Sequence, residues 1–262
     1  MIKGPGRTFG LDGVTVRFRS VTALDAVRLE IAPGERVGLV GPSGAGKTTL
    51  LRLLNGTVRA SSGRVSVGDR DLGTLSGRAL RRVRASIGFV PQDLGLVPNL
   101  RVSQNVLSGR LGSLGRLASL RTMLHPARAD LERVHEILDR VGIPEKLFER
   151  TDRLSGGQQQ RVAIARSLMQ DPAALLADEP VSAVDPARAR DTVALLCDVS
   201  AERGITLVMS LHNLDLARER FPRLVGMRDG RIVFDRPTSD IGDDEFEALY
   251  RLEASELLPD GA

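Results

Sequence analysis

Short runs of β-type residues predict strands at Val14–Phe18, Val27–Ile31 and Arg36–Val40. The third run is strongly apolar and leads straight into a glycine-rich loop. Thr48 to Asn55 then carries a helical pattern that Gly56 stops. Arg64–Val67 and Ile87–Val90 read as further strands. From about Asp93 to Arg153 the pattern changes to helices and loops, with Gly109, Gly112 and Gly115 breaking up one stretch. The clearest helix there is Ala127–Val141, whose Leu131, Val134, Leu138 and Val141 are spaced for one face. A helix at Gly157–Met169, the apolar run Ala173–Ala177, a helix at Pro186–Arg203 and a strand at Ile205–Ser210 follow. Leu224–Met227 and Arg231–Asp235 flank Asp229-Gly230, a pair that favours the type I′ turn of a hairpin. A last short helix covers about Asp243–Leu252. Strands alternating with helices predict an α/β fold with a largely parallel sheet and a helical insertion near its middle. Residues 1–10 and 253–262 read as tails around one domain at 11–252, with a helical subdomain at about 93–156.

Composition narrows the class. The 262 residues are 42% apolar and 27% charged, the balance of an ordinary globular protein. No apolar run approaches the roughly 18–20 residues a membrane span needs, and the first residues lack the apolar core of a secretion signal. The single cysteine, Cys197, fits a reducing cytosol and reads as a buried helix position. Net charge is +4 and almost all basic residues are arginine; the lysines are Lys3, Lys47 and Lys146. One Tyr, seven Phe and no Trp leave no aromatic platform for stacking bases, so a nucleic-acid partner is not expected. Arg78, Arg81, Arg82 and Arg84 read as a solvated helix face.

Chemistry enters at Gly41-Pro42-Ser43-Gly44-Ala45-Gly46-Lys47-Thr48, which fits G-x-x-x-x-G-K-[ST] between a strand and a helix. Glycines let backbone N–H groups curl around phosphate oxygens, and the helix N-terminus adds its positive end. Lys47 would neutralise the β and γ phosphates of ATP, and the Thr48 hydroxyl would ligate Mg²⁺. Such a loop needs an acid at the end of a buried strand. Ala173 to Ala177 followed by Asp178-Glu179 supplies it, with Asp178 toward Mg²⁺ and Glu179 as the base for an attacking water. A second anion-ready stretch is Leu154-Ser155-Gly156-Gly157-Gln158, where a capping serine and two glycines open a helix.

In this order the motifs resemble the ATP-binding subunit of an ABC transporter, from roughly Leu11 to Asp235. The resemblance implies a P-loop NTPase core with a mixed, largely parallel sheet, an antiparallel β part and a helical subdomain. It implies that Phe18 stacks on adenine and that Gly41 through Thr48, with Thr49, hold the phosphates. Gln92 of Val90-Pro91-Gln92 would touch Mg²⁺ and the attacking water. Ser182-Ala183-Val184-Asp185 matches the family's D-loop, with valine where leucine is commoner. His212 matches the switch histidine at the γ phosphate. Ser155, Gly156, Gly157 and Gln158 would face ATP held by a second copy. His125 and His135 lie in the helical insertion and take a structural reading.

Within the family the chain resembles most the phosphonate-type importer ATPase. Asn105 to Gly112, Leu154 to Met169, Leu176 to Pro180, Leu211 to Ala217 and Val233-Phe234-Asp235 carry this likeness. It departs after Gly109-Arg110-Leu111-Gly112, where the subfamily often has tryptophan and this chain reads Ser113-Leu114. The implied partners are a second copy, multi-span permease subunits and, indirectly, a solute-binding protein. The implied location is the cytoplasmic face of the inner membrane. ATPases of other ABC transporters, exporters included, and a non-transport ABC ATPase remain the alternatives at this stage.

Overall fold

A computed structural model describes residues 6–180 and 186–251. The chain opens with strands β1 (Phe9–Phe18), β2 (Val21–Ile31) and β3 (Arg36–Val40), then helix α1 (Lys47–Leu54). Strands β4 (Ser62–Val67) and β5 (Arg70–Asp71), helix α2 (Gly77–Arg84) and strand β6 (Ile87–Val90) follow. The helical insertion holds α3 (Val102–Ser108), α4 (Arg116–Leu124) and α5 (Arg128–Arg140). Helix α6 (Gly156–Leu168) returns the chain to β7 (Ala174–Ala177), α7 (Pro186–Arg203), β8 (Thr206–Ser210) and α8 (Leu214–Arg220). The hairpin β9 (Arg223–Arg228) and β10 (Arg231–Pro237) precedes the last helix, α9 (Asp243–Tyr250).

The strands form two sheets. One is antiparallel, in the order β2-β1-β4-β5; the other runs β10-β9-β3-β8-β7-β6. In the second sheet β3, β6, β7, β8 and β9 run parallel, and only the β9–β10 pair is antiparallel. The hairpin turn has the backbone that Asp-Gly predicts: φ is positive at both Asp229 (47°) and Gly230 (75°).

The parallel sheet is buried on both faces, and the pleat divides its residues between two cores. Val37, Leu39, Leu176, Val208 and Val225 point toward α1, α2 and the antiparallel sheet. Val40, Leu175, Ala177, Leu207, Met209 and Leu224 point toward α3, α5, α6 and α7. The helical insertion therefore shares its apolar packing with the sheet: Val102 and Val106 of α3 and Val134, Ile137 and Leu138 of α5 belong to that second core. Truncating one such leucine to alanine would cost about 2–5 kcal/mol.

Two sequence expectations need adjustment. The segment read as a tail to residue 10 is already structural at its end. Phe9 is buried and pairs with Ile31 and Val67, and the Arg7 carbonyl accepts the Thr206 hydroxyl. An apolar ring flanked by glycines looks weak in a local window and is strong once two distant strands close over it. The stretch broken by Gly109, Gly112 and Gly115 resolves into a 3₁₀ turn at Gly109–Ser113 and then α4. That helix turns Ser119, Thr122 and Met123 inward and leaves Leu117, Leu120 and Leu124 exposed.

Candidate nucleotide site

The site lies at the carboxyl ends of the three central strands. Register pairs Leu39 of β3 with Ser210 of β8, and Ala177 of β7 with Met209. The residues leaving those strands, Gly41, Asp178 and the Ser210–His212 segment, therefore emerge at one edge, where ligands of open α/β sheets bind. Helix α1 is anchored by Leu50, Leu51, Leu53 and Leu54, all buried, and has no acid in its first turn. Its N-terminus opens on Gly46 with no side-chain cap, which leaves the positive end of the helix to an anion.

Lys47 is 4% exposed, and its Nζ donates to the carbonyls of Gly41 (2.7 Å) and Pro42 (3.0 Å). The same ammonium is 3.8 Å from Glu179 Oε1. Burial lowers the Lys47 pKa, and the charges of Glu179 and Asp178 oppose that shift. Asp178 is buried and accepts two hydrogen bonds at Oδ1, from the Thr48 hydroxyl at 3.1 Å and the Ser210 hydroxyl at 3.0 Å. Burial raises its pKa, and these two bonds pull it back.

Glu179 follows in a left-handed backbone conformation, φ 44°, which a glutamate adopts only when its surroundings enforce it. Its N–H donates to Ser210 Oγ at 2.8 Å, so one hydroxyl fixes both acids. His212 Nε2 lies 2.6 Å from Glu179 Oε1. An acid held between a lysine and a histidine beside an anion-ready helix end can accept a proton from a water and can sense a bound phosphate.

The structure thus brings together Gly41 through Thr49, Asp178, Glu179 and His212. Phe18 is exposed at the end of β1. Gln92, just past the end of β6, is exposed and makes no hydrogen bond to Thr48, Asp178 or Glu179. Ser155, Gly156, Gly157 and Gln158 are elsewhere. Ser155 caps α6 by accepting the Gln158 N–H, and Gln158 Oε1 accepts the Ser155 N–H in return. A cavity of about 310 Å³ opens beside Ser155, Gly157, Gln158, Arg161 and Arg188, and no residue of the phosphate loop lines it. Asp185, with the rest of its D-loop stretch, lies outside the described residues.

Sequence reasoning missed two contributors. Ser210 ends an apolar strand, and a polar residue at the carboxyl end of a parallel strand was the available signal. Tyr250 of α9 accepts the Gly41 N–H at 2.9 Å, and nothing local marks it.

The chain matches the ABC transporter family over residues 24–182, more than half its length. It belongs to that family. Among curated relatives it is 47% identical to the phosphonates import ATP-binding protein PhnC 1 of Pseudomonas aeruginosa over 258 residues, 97% of this chain and 96% of that one. It is 46% identical to PhnC of Pseudomonas putida over 240 residues, 92% of this chain and 88% of that one. Among solved structures, a dimeric ATP-binding cassette in a post-hydrolysis state with ADP and Pi superposes with a TM-score of 0.75 at 30% identity, covering 88% of this chain and 98% of that one. The protein cbiO1 of Clostridium perfringens gives 0.76 at 27% identity, covering 92% of each. The two sheets and the helical insertion are those of an ABC cassette, as the motif order led one to expect, and ABC cassettes bind and hydrolyse ATP.

Proposed function

We propose that the chain is the ATP-hydrolysing subunit of an importer for phosphonates or a related phosphorus oxyanion. Two copies work as a pair at the cytoplasmic face of the inner membrane, beneath permease subunits fed by a solute-binding protein. The observation that carries the solute class is the near end-to-end likeness to proteins named for phosphonate import. The exposed leucines of α4 support a permease-facing role for the insertion, since an apolar stripe turned outward calls for a partner.

In this reading Phe18 stacks on adenine, and the loop Gly41-Pro42-Ser43-Gly44-Ala45-Gly46 with Lys47, Thr48 and Thr49 holds the phosphates. Lys47 exchanges its two carbonyl partners for β and γ phosphate oxygens. Glu179 takes a proton from the water that attacks the γ phosphorus, and ADP departs as the bond to the γ phosphorus breaks. His212, already on Glu179, meets the γ phosphate. Ser155, Gly156, Gly157, Gln158 and Asp185 of the second copy close over the same ATP. The oxygen donors Thr48 and Asp178, converging at 3.1 Å, suit a hard divalent cation, and they would hold Mg²⁺ with help from Gln92. That ion would neutralise charge on the phosphates. Closure driven by ATP and reopening after hydrolysis shift the permease between its two states.

The test is reconstitution in vesicles with a phosphonate-type permease and its solute-binding protein. ATPase activity should rise when the binding protein carries an alkylphosphonate, and the phosphonate should accumulate inside. Stimulation by an unrelated solute, with none by phosphonate, phosphite or phosphate, would overturn the solute class. Copurification with no membrane protein would overturn the transport role.

A further inference from the structure

Tyr250 is the chain's only tyrosine, and it ends α9. Its phenol oxygen accepts the N–H of Gly41 at 2.9 Å across 209 positions of sequence. Gly41 sits where the loop leaves β3 and has little freedom: φ is 147°, and a Cβ there would meet the Met227 carbonyl at 2.1 Å. The carbonyl of this same residue accepts Lys47 Nζ at 2.7 Å. A hydroxyl, a peptide and an ammonium thus form one line of hydrogen bonds from the last helix to the charge that meets phosphate.

Other contacts seat α9 without help from that hydroxyl. Phe246 packs edge-on against Phe234 with ring centroids 5.8 Å apart, and the Arg218 guanidinium stacks over Phe246 at 4.3 Å. Arg228 Nη1 donates to the carbonyls of Ala248 (3.1 Å) and Arg251 (2.7 Å), and Arg236 pairs with Glu245 at 2.8 Å. The helix has its own anchors, so the Tyr250–Gly41 bond is spare as far as holding α9 is concerned. Burial and the nearby Glu179 charge push the phenol pKa up against the pull of the Gly41 N–H. The group therefore stays neutral through the working pH range.

We propose that Tyr250 is a positioning residue for ATP binding. It holds the Gly41 peptide, and through the Gly41 carbonyl it sets where Lys47 waits for the terminal phosphates. The C-terminal helix is by this route a support of the phosphate loop. Without the hydroxyl, the Gly41 N–H either loses its partner or drags the loop entry toward another acceptor. Lys47 then starts from a less defined place, and ligands with β and γ phosphates suffer more than ligands without them.

The inference rests on Lys47 meeting those phosphates, which loss of ATP binding in Lys47→Ala checks separately. The experiment is Tyr250→Phe in the full chain, which keeps the ring and removes one oxygen. The KM for ATP should rise about three- to tenfold, the worth of one hydrogen bond, while kcat holds within about twofold. AMP binding should be unchanged, the thermal midpoint should stay within about 2 °C, and hydrogen exchange at Gly41 should quicken. An unchanged KM, an equal loss for AMP and ATP, or a chain that fails to fold would each overturn the proposal, the last by making the residue merely structural.

Discussion

Helices α1 and α6 both open beside glycine at a place suited to an anion, and the chain furnishes them in opposite ways. Ahead of α1, Lys47 is buried on two carbonyls and beside Glu179, and Asp178 and Glu179 share the Ser210 hydroxyl. Ahead of α6, Gly156 is exposed with no atom within 4 Å of an added Cβ, and Ser155 bonds only within its own helix. The difference follows from burial. A charge removed from water needs partners in its own chain before any ligand comes, whereas an exposed helix end stays solvated and can wait. One helix end is furnished with charged partners by folding; in the proposed function the exposed one meets its ligand on a second copy.

Substitutions can break that contrast, and the largest effect is expected at the preassembled side. Glu179→Gln should lower kcat by about 10²–10⁴-fold, the range for a lost general base, with ATP binding retained. Single-turnover hydrolysis at the normal rate would remove Glu179 from its role. Almost as large, Ser155→Arg should abolish ATPase activity while leaving the melting temperature and ATP binding to the single copy unchanged. Mixing Ser155→Arg with Lys47→Ala should then show activity above either parent, because one composite site is intact. A mixture as inactive as its parents would end the two-copy reading.

Smaller effects sharpen the comparison. Lys47→Ala should weaken ATP binding by about 10–100-fold, equivalent to one or two charged hydrogen bonds, as titration calorimetry would measure. Ser210→Ala should cost about 1–3 kcal/mol of stability in denaturant melts, since it strips a partner from Asp178 and from the Glu179 N–H together. The smallest effect is in pH. The ammonium of Lys47 must be charged to hold phosphate, and burial lowers its pKa from the ordinary 10.5. ATP affinity should thus be full below that lowered value and decline as pH rises through it, earlier than for an exposed lysine. Affinity flat to above pH 10.5 would show that the site does not depress Lys47.

What could be read from the sequence was whatever a few consecutive residues decide. Gly41 to Thr48 needs only its own eight residues and a strand before it, and Asp229-Gly230 needs only its own φ angles. The pair Asp178-Glu179 was legible because an apolar run precedes it. The parts that escaped depend on neighbours far along the chain. Phe9 is core only because β2 and β4 flank it, and Ser210 matters only because β7 lies next to β8. Tyr250 reaches the loop because α9 crosses β9. Gln92 shows the converse: its motif was recognisable, yet this conformation of the chain leaves it outside the hydrogen-bonded cluster.

The strand order has a consequence for how the protein is made. Residues 36–40 form β3, and their two neighbours in the sheet are β8 and β9, spanning Thr206–Ser210 and Arg223–Arg228. A growing polypeptide carries the phosphate loop about 160 residues before the first neighbour of β3. That loop stands on an unflanked strand until β8 and β9 have emerged, and such long-range pairing is slow to form. The emerging fragment is expected not to assemble this site early, because the strand beneath the loop lacks its folded-state neighbours. Competence for ATP is thus expected to wait for the segments that close the sheet.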